Sequence, residues 1–307
     1  MSHADGPANW RASLDRIARA SGALGMVAID QRESLRLMLQ QHQKDPVQDR
    51  TVEVFKVEVS RMLAPHASAM LFDQRFGLPA LDVAREMAPA CGIIIAADRL
   101  IQVPGEAVSD TEIDDDVDPV WARAAGAVAL KLLLLWKGAS QQERLLALAI
   151  QFMEMCRANK MIGIVEAMVR DPDHGTSRRW DREQAMVDAA ACLAASRPDL
   201  YKGEVPFHGK ASQAAIQSWA ERVTEVLACP WVVLSQGVAI DDFAPAVQAA
   251  CRGGASGFLA GRAIWADALG PNASELLATV SVPRLQRLGE IVDREARPWQ
   301  KAQGAAA

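Results

Sequence analysis

Apolar residues in this chain gather into short, nearly continuous runs, and the stretches between them carry hydrophobic residues at helical spacing. Eight runs stand out: 25–31 (GMVAIDQ), 68–74 (SAMLFDQ), 92–98 (GIIIAAD), 128–136 (VALKLLLLW), 161–166 (MIGIVE), 199–204 (DLYKGE), 231–235 (WVVLS) and 256–261 (SGFLAG). Such runs fit strands buried on both faces, and parallel strands need the crossovers that helices supply. Helical spacing covers 52–62, 80–87, 141–157, 183–195 and 213–227. Eight strand-helix units predict a closed (β/α)8 barrel, an α/β fold that fills about 250 residues as one domain. All 307 residues are read as that one domain, with a barrel core over about 22–295. An N-terminal extension and a short tail after Arg297 are expected to be appendages, the tail frayed. An open dinucleotide-binding sheet fits less well, because no G-x-G-x-x-G follows the first run and the glycine-rich CRGGASGFLAGRA has a different spacing.

A barrel of this kind works at the carboxyl ends of its strands, so the polar residues there are the candidate chemistry. Asp30 and Gln31 end the first run, Asp73 and Gln74 the second, and Asp98 the third. Lys131 lies inside the fourth, Glu166 ends the fifth, Lys202 lies in the sixth, Ser235 ends the seventh and Gly261-Arg262 the eighth. Two lysines and several carboxylates around one desolvated mouth suit imine chemistry, since burial and a neighbouring ammonium both favour the neutral amine that attacks a carbonyl. Either Lys202 or Lys131 can be that nucleophile, with Glu166 and Asp30 moving protons. The competing reading is that the lysines only pair with barrel carboxylates. At the seventh and eighth strand ends, Ser235-Gln236-Gly237 and Gly261-Arg262 stand where barrels often bind phosphate, and Arg262 adds a guanidinium.

Composition narrows the partners. The net charge of -5 and the lack of a basic stripe argue against nucleic acid. The longest run of leucine, isoleucine or valine, 132–135, is far too short for a membrane span, and MSHADGPANW has no charged-then-apolar leader pattern, so a cytoplasmic protein with no membrane partner is expected. The five cysteines and five histidines are scattered, which suggests reduced thiols and neither a disulfide framework nor a metal site. The acidic stretch 106–118 lacks the glycine and bidentate glutamate of a calcium loop and is read as a solvated loop. DPDHG around His174 is read as a turn rather than a catalytic histidine.

The segments AIDQRESL, ALKLLLLW, DREQAMVDAA, DLYKGEVPFHGK, VVLSQGV and GASGFLAGRAIW resemble, in collinear order over about residues 15–295, the class I aldolases of the tagatose-bisphosphate and sulfofructosephosphate aldolase family. HASAMLFDQ, IIIAADRLI and KLLLLW look most like its sulfofructosephosphate branch. The resemblance implies retro-aldol cleavage of 6-deoxy-6-sulfofructose 1-phosphate to dihydroxyacetone phosphate and 3-sulfolactaldehyde, without metal or organic cofactor, in a homo-oligomer. It places the Schiff-base lysine at Lys202, the acid/base at Glu166 and a second active-site lysine at Lys131. Asp30 and Gln31 match substrate-contacting positions; Ser235, Gly237, Gly261 and Arg262 match the phosphate end. Three positions depart from the family pattern: Gly203 where a β-branched residue is expected, Ala167 where proline is expected, and Gln236 in place of a second serine. For a sulfonate, Arg32, Arg99, Arg170, Arg178 and Arg179 are the candidate donors. A tagatose- or fructose-bisphosphate aldolase of the same mechanism is the alternative. A non-catalytic phosphosugar-binding regulator is a third reading, which the presence of both Lys202 and Glu166 disfavours.

Overall fold

The computed structural model describes residues 13–103, 106–173 and 180–302. Its strands are β1 (Leu24–Ala28), β2 (Ala69–Phe72), β3 (Gly92–Ala96), β4 (Asp98–Val103), β5 (Glu106–Ile113), β6 (Ala127–Trp136), β7 (Ile162–Val169), β8 (Leu200–Glu204), β9 (Trp231–Leu234) and β10 (Gly257–Ala260). Eight of them close a barrel in the order β1-β10-β9-β8-β7-β6-β3-β2. Every pairing in it is parallel. All eight apolar runs became barrel strands, and every residue of β1, β3, β7 and β8 is buried, as continuous aliphatic runs require.

The helices are α1 (Glu33–Gln40), α2 (Asp49–Leu63), α3 (Gln74–Met87), α4 (Pro119–Ala124), α5 (Gln142–Ala158), α6 (Arg182–Ala194), α7 (Gln213–Val226), α8 (Ile240–Arg252), α9 (Arg262–Trp265), α10 (Ala273–Leu276), α11 (Val282–Glu295) and α12 (Trp299–Ala302). In α2 the buried Val52, Phe55, Val59 and Leu63 recur every three or four residues, which gives one apolar stripe to lay on the barrel. Capping fixes where several helices begin: Asp73, Asp118, Asp181 and Ser212 each accept backbone N–H bonds at the starts of α3, α4, α6 and α7.

Two expectations fail. Neither chain end is an appendage throughout: Leu14 and Ile17 are fully buried and join Trp299, Leu24, Met26 and Ala69 in the core that fills the lower barrel. The Trp299 N–H donates to the Gly22 carbonyl at 3.0 Å, so the segment beyond Arg297 is held by a floor contact. The acidic stretch 106–118 is not a solvated loop either, because its first part is β5, antiparallel to β4 in a two-stranded ribbon. Opposite charge explains how a strand tolerates that composition: Arg144 takes up Asp110 and Arg99 stands opposite Glu112, while just past the strand Arg99 takes up Asp114 and Asp115. This ribbon stands beside the carboxyl end of the barrel, where the site lies.

Candidate active site

Alternation along each strand decides which side chains enter the barrel. The lower interior is apolar, with Ala129, Ile162, Ile164, Leu200, Val232 and Leu259. Above it comes a charged layer that opens into a cavity of about 900 Å³. Asp30, Gln31, Lys131, Glu166, Lys202, Ser235, Gly261 and Arg262 all line that cavity. Gly237 does not; it lies at the edge of the same wall, beside His208.

The register of the sheet makes the central contact. Glu166 of β7 pairs with Lys202 of β8, and the Lys202 ammonium reaches Glu166 Oε2 at 3.0 Å. Lys131 Nζ stands 3.4 Å from the same oxygen, 2.9 Å from Asp30 Oδ2 and 2.6 Å from Asp98 Oδ2. All four of Lys131, Asp98, Glu166 and Lys202 are buried. Burial alone would lower the Lys131 pKa, but Asp30, Asp98 and Glu166 outweigh it and hold the ammonium well above its usual range. Burial likewise acts to raise the Asp30 carboxyl, and Lys131, Lys202 and Arg32 overcome it and hold the carboxyl well below its usual range. Lys131 is thus a fixed cation, while Lys202 has a single carboxylate partner and an open cavity in front of it.

Asp98 was visible as a strand end, yet its role was not. It accepts from Lys131 and from the Leu133 N–H at 3.1 Å, and Arg32 donates to its carbonyl at 2.8 Å and approaches its carboxylate at 3.5 Å. Lys56 is a buried residue the apolar runs do not point to. It sits on α2, is completely buried, pairs with Asp73 and donates to the Ile29 carbonyl at 2.6 Å. Its position on the buried stripe of α2 is the one local signal, and it does not show the partners, which the barrel brings to it from the ends of β1 and β2.

The other end of the cavity is built from the exits of β9 and β10. Gly237 has φ +74°, and a Cβ there would stand 2.5 Å from His208 Nδ1, so only glycine fits the turn. At Gly261 a Cβ would meet the Ala28 carbonyl at 2.7 Å and Gln31 Nε2 at 3.0 Å, which explains a glycine packed directly against the Asp30-Gln31 strand end. Burial lowers the Arg262 guanidinium from its ordinary pKa, nearby Arg170 adds to this, and Asp30 only partly compensates. A half-buried guanidinium in these surroundings would be favoured by added negative charge.

Of the family departures, Gly203 has a packing cause: a Cβ would lie 3.1 Å from Tyr201 Cε1, so the ring occupies the space a β-branched residue would need. Gln236 lines the cavity beside Ser235. Ala167 is buried and faces outward towards Tyr201 and Met186. Of the proposed sulfonate donors, Arg32, Arg99 and Arg170 line the cavity, whereas Arg178, Arg179 and His174 lie outside the described residues. Among the described residues there is no group of three or more His, Cys, Asp or Glu side chains disposed to hold a metal ion. Nor is any helix among them long and apolar enough to cross a membrane.

A family model described as DeoC/LacD family aldolase matches residues 24–267, and the chain belongs to that family. It is 28% identical over 326 aligned residues to tagatose 1,6-diphosphate aldolase 2 of Streptococcus pyogenes serotype M1, covering 95% of this chain and 97% of the relative. To tagatose 1,6-diphosphate aldolase of Lactococcus lactis subsp. lactis it is 27% identical over 324, covering 94% and 97%. Among solved structures it is similar to a Schiff base-forming fructose-1,6-bisphosphate aldolase, with TM-score 0.59 and 13% identity over 91% of this chain and 98% of that one. A fructose-bisphosphate aldolase from Slackia heliotrinireducens gives TM-score 0.60 and 14% identity over 91% and 89%. The structural likenesses establish the barrel, and the family model establishes an aldolase, hence a lyase.

Proposed function

We propose, on the premise of that membership, that the protein is a Schiff-base aldolase that cleaves a ketose 1-phosphate, with Lys202 as nucleophile. The observation that carries this reading is the sharing of one Glu166 oxygen by two buried lysines, only one of which is tied to further carboxylates. Lys131 stays charged; Lys202 has a single acceptor, 3.0 Å away, placed to take its proton. The neutral amine adds to the C2 carbonyl, and loss of water gives a protonated imine. The C3–C4 bond then breaks, its electron pair moves into the enamine, and the C4 hydroxyl gives up its proton as the aldehyde leaves. Protonation of the enamine at C3 and addition of water release dihydroxyacetone phosphate and free the lysine.

Glu166 is the group in reach for the proton transfers at nitrogen, and Asp30 flanks the same centre through Lys131. The Lys131 ammonium stabilises negative charge that develops on substrate oxygen. Ser235, Gly261 and Arg262, with the Gly237 turn behind them, are assigned to the C1 phosphate; Gln31, on the same side as Gly261, is assigned to a substrate hydroxyl. The protonated imine is itself the electron sink, so this mechanism asks for neither metal nor organic cofactor.

Two finer readings differ in the group at the far end of the substrate. The names carried by the relatives favour a hexulose bisphosphate, and the resemblance of HASAMLFDQ and IIIAADRLI favours 6-deoxy-6-sulfofructose 1-phosphate. Comparing kcat/KM for fructose 1,6-bisphosphate, tagatose 1,6-bisphosphate and the sulfosugar, with and without a chelator, tests them together. Release of dihydroxyacetone phosphate that is indifferent to the chelator is expected. No release from any ketose 1-phosphate sinks the assignment, and turnover of a bisphosphate as fast as the sulfosugar removes the sulfosugar reading.

A further inference from the structure

Above the charged layer the cavity changes character. Leu133 follows Lys131 by two residues, Met168 follows Glu166 by two, and Leu234 follows Val232 by two. Alternation keeps each on the interior face, one layer nearer the mouth. These three residues and Leu135 form a buried apolar cluster separate from the two larger cores, and Leu100 of β4 and Val108 of β5 pack against it. Leu133, Met168, Leu234, Leu100 and Val108 also line the cavity.

The described cations on this side already have partners. Arg32 is bound to Asp98, Arg99 to Asp114 and Asp115, Arg170 to the Val169 carbonyl and Glu204, and Lys137 donates to the Ser109 carbonyl. Among the described cations lining the cavity, Arg262 alone has neither a hydrogen bond nor an ion pair, which suits one terminal anion and not two. With a phosphate at Arg262 and Ser235 and a carbonyl at Lys202, the remaining half of the substrate faces β6, β7 and the ribbon.

We propose that this half is hydrocarbon in character: the aldehyde released is a short, unphosphorylated alkyl or deoxy aldehyde, selected by Leu100, Val108, Leu133, Met168 and Leu234. The inference rests on the Schiff-base reading above and departs from substrates with two anionic ends. Each methylene buried against such a wall improves binding ~fourfold, whereas a phosphate or sulfonate set there gives up hydration with no unengaged cation among the described residues of that wall to replace it.

The test runs the reaction in the direction of synthesis, with dihydroxyacetone phosphate and either propanal, butanal, glyceraldehyde 3-phosphate or 3-sulfolactaldehyde. Exchange of the C3 proton of dihydroxyacetone phosphate with deuterium is followed separately, because it reports the enamine without any aldehyde. The expected result is exchange, with kcat/KM for propanal and butanal at least tenfold above both anionic aldehydes, and a tenfold or greater fall in that ratio in Met168→Gln. Exchange together with equal or faster condensation of either anionic aldehyde overturns the proposal and leaves the Schiff-base reading standing. Absence of both exchange and condensation overturns the two together.

Discussion

Lys56 and Lys202 are buried to nearly the same degree and each faces one carboxylate, yet they belong to different kinds of site. Lys56 is sealed between α2 and the ends of β1 and β2, with Asp73 and the Ile29 carbonyl as its partners and no exposed surface. Burial pulls its pKa down and Asp73 opposes that pull. Lys202 has a comparable partner in Glu166, but its amine borders a cavity that a substrate can enter. A buried ion pair is therefore not a sign of chemistry by itself. Access to an open volume, and a carboxylate shared with a second cation, are what set Lys202 apart from Lys56.

The comparison breaks most visibly under substitution of the proposed nucleophile. Lys202→Met is expected to lower turnover on the order of 10⁴-fold or more, with its melting temperature close to that of the parent, as steady-state kinetics and thermal unfolding would show. Lys56→Met should do the reverse. It leaves Asp73 buried without its cation and is expected to cost about 3–5 kcal/mol of stability, measured by denaturant unfolding, with Lys56→Met/Asp73→Asn recovering a large part. If Lys56→Met unfolds at the parental midpoint but loses turnover, the division between the two lysines is wrong.

Arg262 sharpens the same contrast from the side of an unpaired cation. Arg262→Ala should weaken binding of dihydroxyacetone phosphate by about 2–3 kcal/mol, roughly 100-fold in Kd, with a smaller change in kcat. Asp199 supplies the smallest effect and a carboxylate with no close cation. Burial raises its pKa to about 6, opposed by the Gly163 N–H and by Arg157. A carboxyl raised above its unfolded value near 3.9 binds more protons in the native state, so its contribution is fully present below about pH 4 and is lost as pH rises through about 6. Asp199→Asn should accordingly raise stability at pH 7 by on the order of 2 kcal/mol and flatten the profile between pH 4 and 6; a parallel shift at all pH values would contradict this origin.

The legibility of the sequence follows the same division between local and long-range causes. Strands buried on both faces write themselves as aliphatic runs, so all eight barrel strands could be read directly, and with them the strand ends carrying Asp30, Lys131, Glu166, Lys202, Ser235 and Arg262. What joins those residues is register: Glu166 meets Lys202 because β7 and β8 pair there. The β4–β5 ribbon stayed hidden because its acidic residues argue against a strand until Arg99 is placed opposite Glu112 and Arg144 beside Asp110. Lys56 stayed hidden because helical periodicity marks it only as one position among the buried stripe of α2. The floor formed by Leu14, Ile17 and Trp299 joins the two ends of the chain, a contact that no local pattern announces.

The central claim is that Lys202, and not Lys131, forms the imine. Incubation with dihydroxyacetone phosphate, reduction with borohydride, digestion and mass spectrometry locate the adduct directly. An adduct confined to the peptide carrying Lys202, absent when borohydride is added without the ketone, is the predicted result. An adduct on Lys131 would contradict the assignment of the two lysines, and no adduct on any lysine would contradict the Schiff-base mechanism itself.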